Sequence, residues 1–140
     1  MAESLKPERD NNFDYLGIQT VYDRYLLRFG KENLVKETPQ AFWMRVAMGL
    51  ALRESNKEEM AVKFYDVLSK LDYVASTPTL LHSGLAKPQL SSCFINTVED
   101  DLHHIFKVYG DNAQMLKWSG GVATDWTNIR STGAKVKAIN

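Results

Sequence analysis

The stretch STPTLLHSGLAKPQLSSC, residues 76–93, separates two kinds of sequence pattern. Helical periodicity precedes it, and strand-like and helical segments alternate after it. It carries the only cysteine of the chain, Cys93, and hydroxyl side chains lie at both of its ends. Because junctions between architectures often hold binding or catalytic sites, this stretch is a candidate for one.

The composition is that of a globular domain. The 140 residues are 44% hydrophobic and 24% charged, and 17 basic residues balance 17 acidic ones. A chain with no net charge has no global field that would attract nucleic acid or an anionic membrane. No apolar run reaches the roughly 20 residues that span a bilayer, and the polar N-terminus lacks the apolar segment of a signal peptide. We therefore expect a cytoplasmic protein that binds neither membrane nor nucleic acid.

The first part of the chain predicts a helical domain. Residues 1–12 are polar and aperiodic and are expected to form a flexible tail, while residues 13–88 carry the helical pattern. The first helix is predicted to begin near Phe13 and to end at Gly30, which would be its C-terminal cap. Its aromatic stripe is interpreted as core, because such side chains are mostly buried in soluble domains.

Two further helices are marked by capping residues. Thr38-Pro39 predicts the start of the second helix, because the hydroxyl can cap a free N–H and proline needs no partner at the first position. The segment QAFWMRVAMGLAL that follows is apolar on nearly every side, which is typical of a central helix. Ser55 and Glu58 have capping-box spacing and predict a third helix that runs to about Lys70.

From residue 89 to residue 140 the pattern changes to strand, helix, strand. LSSCFINTV combines apolar and β-favouring residues, a helix is predicted from Leu102 to about Lys117, and residues 122–129 predict a second strand. This order defines a βαβ unit, which begins a parallel sheet or barrel. Because one such unit cannot cover its own sheet, we expect the sheet or barrel to be unfinished at Asn140.

Polar groups lie where these elements meet. The proline after Thr77 is expected to keep this threonine out of a helix. The hydroxyls of Thr77, Ser91 and Ser92 and the backbone of the Gly120-Gly121 turn suit an anion such as phosphate. The same residues are equally typical of a loop, and the two glycines lack the spacing of known phosphate-binding motifs.

The single cysteine leaves two interpretations open. A lone cysteine is commonly a small buried hydrophobe, whereas a reactive thiol needs a neighbouring base, cation or helix N-terminus. His82, His103 and His104 do not have metal-ligand spacing with Cys93 or with one another, so no metal site is predicted.

Several segments resemble, in order, the large (α) subunit of class I ribonucleoside-diphosphate reductase: STPTLLHSG, KPQLSSCF, LKWSGGV and DWTNIRSTG. The resemblance implies a mainly α N-terminal helical domain followed by the opening βαβ of an α/β barrel. It also implies reduction of ribonucleoside diphosphates to deoxyribonucleoside diphosphates. In this family the radical comes from a metal-containing β subunit, thioredoxin or glutaredoxin is the reductant, and no cofactor is bound directly.

The resemblance implies a catalytic and substrate-binding set. Cys93 matches one of two barrel cysteines that reduce the substrate and become a disulfide. Thr77, Ser92 and Gly121 match positions that hold the diphosphate or the ribose. Hydroxyl groups suit that task because they bind phosphate without placing a competing base near a radical.

The resemblance also implies an allosteric site for a deoxynucleoside triphosphate or ATP. Its matching residues are Asp101, Lys117, Arg130 and Lys137. A carboxylate can accept hydrogen bonds from ribose hydroxyls, while the cations meet the triphosphate. Either Asp100 or Asp101 can also cap the helix that begins at Leu102.

The sequence lacks several features of the family. The disulfide partner of Cys93, the radical cysteine, the catalytic asparagine and glutamate, and the ATP-cone have no match in the 140 residues. We therefore expect the chain to be inactive alone and to need the C-terminal part of the large subunit. The resemblance also implies a β subunit as partner and a dimer of large subunits. The alternative is an inert remnant, or an interaction module that binds nucleotide or a partner. An independent thiol-redox module is disfavoured because CxxC is absent.

Overall fold

The computed structural model describes residues 2–118 and 120–135, and the chain divides into two compact units, residues 1–90 and 91–140. The first unit contains two 3₁₀ helices (Ala2–Ser4 and Pro7–Asn12), α1 (Tyr15–Arg24), β1 (Arg28–Phe29), β2 (Leu34–Val35), α2 (Pro39–Ala51), α3 (Lys57–Ser69) and α4 (Thr77–His82). The second contains β3 (Cys93–Thr97), α5 (Leu102–Lys117) and β4 (Gly121–Asp125). The predicted fold class is confirmed: a helical domain precedes the start of a parallel sheet, and the described residues form no closed barrel. Among residues 2–118 and 120–135, no helix is both long and apolar enough to cross a bilayer.

Helix α2 is central to the first unit, as its apolar sequence predicts. Thr38 caps it, since its hydroxyl accepts the N–H of Ala41 at 3.4 Å. Phe42 and Val46 are fully buried, and the rings of Phe42 and Trp43 lie 4.6 Å apart. Helix α2 packs along α3, and these two helices carry seven of the ten buried residues in the core cluster of the described chain.

The segment after α1 differs from the prediction. Helix α1 ends at Arg24, and Gly30 lies in the turn of an antiparallel hairpin in which Arg28 pairs with Val35. Gly30 has a φ of +77°, a left-handed conformation that glycine adopts equally well in a helix cap and in a turn. The prediction of Gly30 as a helix cap is therefore wrong. The glycine indicates a left-handed backbone conformation, but it does not indicate whether that conformation belongs to a helix cap or to a turn.

Helix α3 also begins later than its capping box predicts. Asn56, not Ser55, occupies the N-cap position, and it makes no side-chain cap hydrogen bond. The Asn56 amide instead donates to the carboxylate of Glu59. The end of the helix, at Ser69, lies one residue from the predicted end at Lys70.

A short helix stands where the sequence predicts extended chain. Thr77 is the first residue of α4 and Pro78 the second, with Ser76 in the N-cap position. A proline in the first turn of a helix gives up an N–H that would have had no partner there. The prediction that Thr77 lies outside a helix is therefore wrong.

Residues 2–12, for which the sequence predicts a flexible tail, make specific contacts with the first unit. The backbone N–H of Lys6 donates to the hydroxyl of Tyr65 at 2.8 Å. Arg9 forms an ion pair of 2.7 Å with Asp66 on α3. Residues with the polar sequence of a tail thus pair with one buried and one half-exposed polar group of the helical unit, Tyr65 and Asp66.

The second unit is the predicted βαβ unit. Strands β3 and β4 are parallel, and their register runs from Cys93 opposite Gly121 to Thr97 opposite Asp125. Strand β4 ends earlier than predicted, because the Asp125 carboxylate accepts the backbone N–H of Thr127 at 2.9 Å and thereby forms a turn. The Asp101 carboxylate accepts the N–H of His104 at 2.8 Å and caps α5.

Candidate functional site

Three of the predicted substrate residues lie together where the two parallel strands begin. The backbone N–H of Gly121 donates to the carbonyl oxygen of Ser92 at 2.7 Å, and Cys93 pairs with Gly121 across the sheet. Cys93 is a free and exposed thiol. A Cβ at position 121 would lie 3.7 Å from the Cys93 sulfur, so glycine keeps the space beside the thiol open.

Thr77 belongs to the first unit, where it begins α4. Its hydroxyl oxygen lies 3.2 Å from the hydroxyl oxygen of Tyr25, and the pair is exposed to solvent. Two further hydroxyls, those of Ser76 and Thr79, lie 3.2 Å apart in the same turn. The start of α4 therefore presents neutral hydrogen-bonding groups, which suit a phosphate oxygen.

The effector residues predicted from the sequence lie partly at the start of α5. Arg130 donates from Nε to a carboxylate oxygen of Asp100 at 2.6 Å. Asp101, next in sequence, has one carboxylate oxygen engaged in the cap of α5. The structure thus brings Arg130 to the end of the helix where Asp101 lies, but pairs it with Asp100.

Lys117 lies at the opposite end of α5. The helix has 16 residues, so a rise of about 1.5 Å per residue separates its two ends by roughly 24 Å. The Lys117 ammonium lies 5.9 Å from the centre of the Trp118 ring. Within one chain, Lys117 therefore does not join Asp101 and Arg130, and Lys137 lies outside the described residues.

Asp100 is the residue that the sequence interpretation missed. Two adjacent acids precede α5, and only one of them is needed for the cap. The helix start at Leu102 gives the cap to Asp101, so that Asp100 is available to pair with a cation. Counting back from the helix start would have separated the two roles.

Asp125 adds a further carboxylate at the end of β4. The backbone N–H of Thr127, and then its hydroxyl, donate to this carboxylate and hold the pKa of Asp125 below its usual range. Strand β3 reaches the same edge, where the N–H of Val98 donates to the Asp125 carbonyl oxygen at 2.9 Å. This end of the βαβ unit therefore carries several carboxylates, and Arg130 pairs with one of them, that of Asp100.

The fold and this geometry agree with two family models. The all-alpha domain of ribonucleotide reductase matches residues 11–88, and the barrel domain of ribonucleotide reductase matches residues 91–140. The chain therefore belongs to the ribonucleotide reductase large-subunit family, as its sequence segments predict.

Curated relatives of the chain are large subunits of ribonucleoside-diphosphate reductase. The chain is 51% identical over its whole length to the ribonucleoside-diphosphate reductase subunit alpha of Chlamydia muridarum. It is 43% identical over 97% of its length to the subunit alpha of Helicobacter pylori, and 34% identical over 95% to the large chain of Schizosaccharomyces pombe. The chain spans 13%, 17% and 16% of these three relatives.

Proposed function

We propose that this chain contributes part of the substrate site, one redox cysteine and part of the effector site to the reduction of ribonucleoside diphosphates. The observation that carries the proposal is the exposed Cys93 thiol beside Gly121 at the start of two parallel strands. The remaining catalytic groups would come from the rest of a large subunit.

The proposed reaction consumes two electrons. The Cys93 thiol and a second thiol from the rest of the large subunit are oxidised to a disulfide. The C2′–OH bond of the ribose breaks, oxygen leaves as water, and a C–H bond forms at C2′. A radical from the partner β subunit starts the reaction and is returned, and a thioredoxin-type or glutaredoxin-type reductant restores the thiols. A reducing compartment such as the cytoplasm suits this cycle.

Neutral donors are proposed to hold the diphosphate. The hydroxyls of Thr77 and Ser92 are exposed, and they donate to phosphate oxygens without adding a base near the radical. The N–H of Gly121 is engaged by Ser92, so Gly121 would contribute open space at the backbone instead of a donor.

Arg130 is proposed to bind the phosphates of a deoxynucleoside triphosphate or ATP, with Asp100 or Asp101 on the ribose. The arginine fork suits phosphate, and the Asp100 pair holds it at the start of α5. Since Lys117 lies roughly 24 Å away at the other end of a 16-residue helix, it would join the site only from a second large subunit.

A dimer through α5 would meet that requirement. The helix exposes Leu102, Phe106, Tyr109 and Leu116, each more than half exposed. Their spacing of three, four and seven residues places them on one face of α5. Antiparallel pairing of two such faces would place Lys117 of one copy near Asp101 of the other.

Reconstitution tests the proposal. The chain is combined with the C-terminal part of a large subunit and with a β subunit, and formation of deoxyribonucleoside diphosphate is measured with and without dNTP. We expect turnover that requires all parts and that responds to dNTP. An assembled but inert complex, together with a monomeric chain that has no affinity for dNTP, would instead support the inert remnant or interaction module.

A further inference from the structure

Arg45 is the only charged residue of α2, and its guanidinium contacts the end of α4. The side chain is 11% exposed, and its Nη1 donates to the carbonyl oxygen of Ser83 at 2.7 Å and to that of Leu80 at 3.4 Å. Its Nε pairs with Glu37 at 2.8 Å. Carbonyls in the last turn of a helix have no partner within the helix. Arg45 therefore holds α4 by its C-terminal end.

The backbones of α2 and the residues after α4 approach closely at the same junction. The buried hydroxyl of Ser83 donates to the carbonyl oxygen of Val46 at 2.9 Å. A Cβ on Gly49 would overlap the backbone nitrogen of Gly84, so only glycine permits this approach. Gly84 itself has a φ of +80°, which favours glycine. The C-terminal end of α4 is thus fixed on α2 by side chains and by backbone.

Thr77 lies at the other end of this helix. Helix α4 has six residues, so Thr77 is only roughly 9 Å from the Arg45 contact. The Tyr25 hydroxyl lies 3.2 Å from that of Thr77, and the Tyr25 ring lies 6.1 Å from the ring of Phe42, over which Arg45 lies at 5.4 Å. Contacts from Arg45 therefore reach Thr77 both along α4 and across the aromatic rings.

We propose that Arg45, together with Glu37, is a positioning residue that sets the place of the Thr77 hydroxyl for the substrate diphosphate. This inference rests on the proposed role of Thr77 in binding that diphosphate. Arg45 itself does not touch substrate, and it acts through the position of α4.

The test compares Arg45→Met with Arg9→Met in a complete large subunit that carries this segment. Arg9 is a matched control: it pairs with Asp66 at 2.7 Å, lies 5.4 Å from the Tyr65 ring, and has its partners on α3. For Arg45→Met we expect the KM for ribonucleoside diphosphate to rise about tenfold, with kcat within about twofold, since a charge-assisted hydrogen bond to α4 is lost. Arg45→Lys should recover part of this loss, because lysine keeps a charged donor. Arg9→Met should leave KM unchanged.

Amide hydrogen exchange gives an independent readout. Exchange of residues 77–83 should accelerate in Arg45→Met and not in Arg9→Met. Unchanged exchange in Arg45→Met, or an equal rise of KM in both variants, overturns the inference. A raised KM in Thr77→Val without one in Arg45→Met also overturns it. Faster exchange with an unchanged KM in both Arg45→Met and Thr77→Val would instead reject the proposed role of Thr77, and the inference with it.

Discussion

Asp100 and Asp101 are neighbours in sequence, and their carboxylates have different partners. Asp101 accepts a backbone N–H at the start of α5, while Asp100 accepts the guanidinium of Arg130. The first contact caps and stabilises a helix, and the second is an ion pair at the surface. The two residues should therefore affect different measurements.

Asp101→Ala should lower the free energy of unfolding by about 1 kcal/mol, because α5 loses its N-cap, while Asp101→Asn should change it little. Asp100→Asn should change the free energy of unfolding by less than about 0.5 kcal/mol. It should weaken dNTP binding, because Arg130 loses the partner that orients it. Chemical denaturation and equilibrium dNTP binding to the complete large subunit give the two values. Equal loss of stability in Asp100→Asn and Asp101→Ala would contradict the assignment of the cap.

Tyr65 tests the contact between residues 2–12 and the helical unit. Its buried hydroxyl donates to the Gln40 side chain at 2.7 Å and accepts the N–H of Lys6. Tyr65→Phe should destabilise the chain by about 1–3 kcal/mol, because two polar groups lose their partner. Tyr73→Phe is the control, since Tyr73 is 60% exposed, and it should cost less than about 0.5 kcal/mol. Denaturation curves that do not separate the two variants would argue against this contact.

At the scale of elements, the turn after β4 has a predictable pH dependence. Hydrogen bonds from the backbone N–H and then the hydroxyl of Thr127 lower the pKa of Asp125 in the folded state. The ionised carboxylate therefore stabilises the fold above the unfolded-state pKa, near the ordinary value of 3.8, and this contribution is lost as the pH falls through the lower folded-state pKa.

An NMR titration of the Asp125 carboxyl carbon measures this effect. The midpoint should lie below 3.8 in the unmodified chain. In Thr127→Val it should rise only part of the way back, because the backbone N–H remains. Thr127→Ser keeps the hydroxyl and should leave the midpoint low. A midpoint in the ordinary aspartate range in the unmodified chain would show that the turn does not form.

Elements with strong local signals could be predicted from the sequence, and elements decided by contacts could not. Thr38-Pro39 and the apolar run after it place α2 correctly, and the alternation after residue 89 places the βαβ unit. The hairpin at Gly30 and the short helix at Thr77 cannot be predicted from the sequence, because a left-handed glycine and a proline each fit more than one element.

In the candidate site, too, some residues can be predicted from the sequence and others depend on contacts in the fold. Family resemblance in the sequence indicates Cys93, Ser92 and Gly121, and the register of the two strands brings these residues together. The role of Asp100 depends on which residue begins α5, and that of Arg45 depends on an approach of α2 and α4. Sequence periodicity carries no information on either contact.

At the scale of the molecule, the chain divides into two compact units that carry different candidate groups. The helical unit carries Thr77, and the βαβ unit carries the thiol and the acidic edge with Arg130. The chain spans 13% of the Chlamydia muridarum subunit, and the proposed function assigns both units to a longer large subunit. In the proposed function, Cys93 is oxidised when substrate is reduced.

The most direct test is a single turnover of the complete large subunit, with β subunit and ribonucleoside diphosphate but without external reductant. Cys93 is then labelled with a thiol reagent and quantified by peptide mass spectrometry. We expect Cys93 to become unreactive in proportion to the deoxyribonucleotide formed, and to regain its reactivity when a dithiol is added. Cys93→Ser should form no product, while its free energy of unfolding should stay within about 0.5 kcal/mol of that of the unmodified protein. Product formation that leaves Cys93 fully reactive, or that persists in Cys93→Ser, would show that substrate reduction does not depend on the Cys93 thiol.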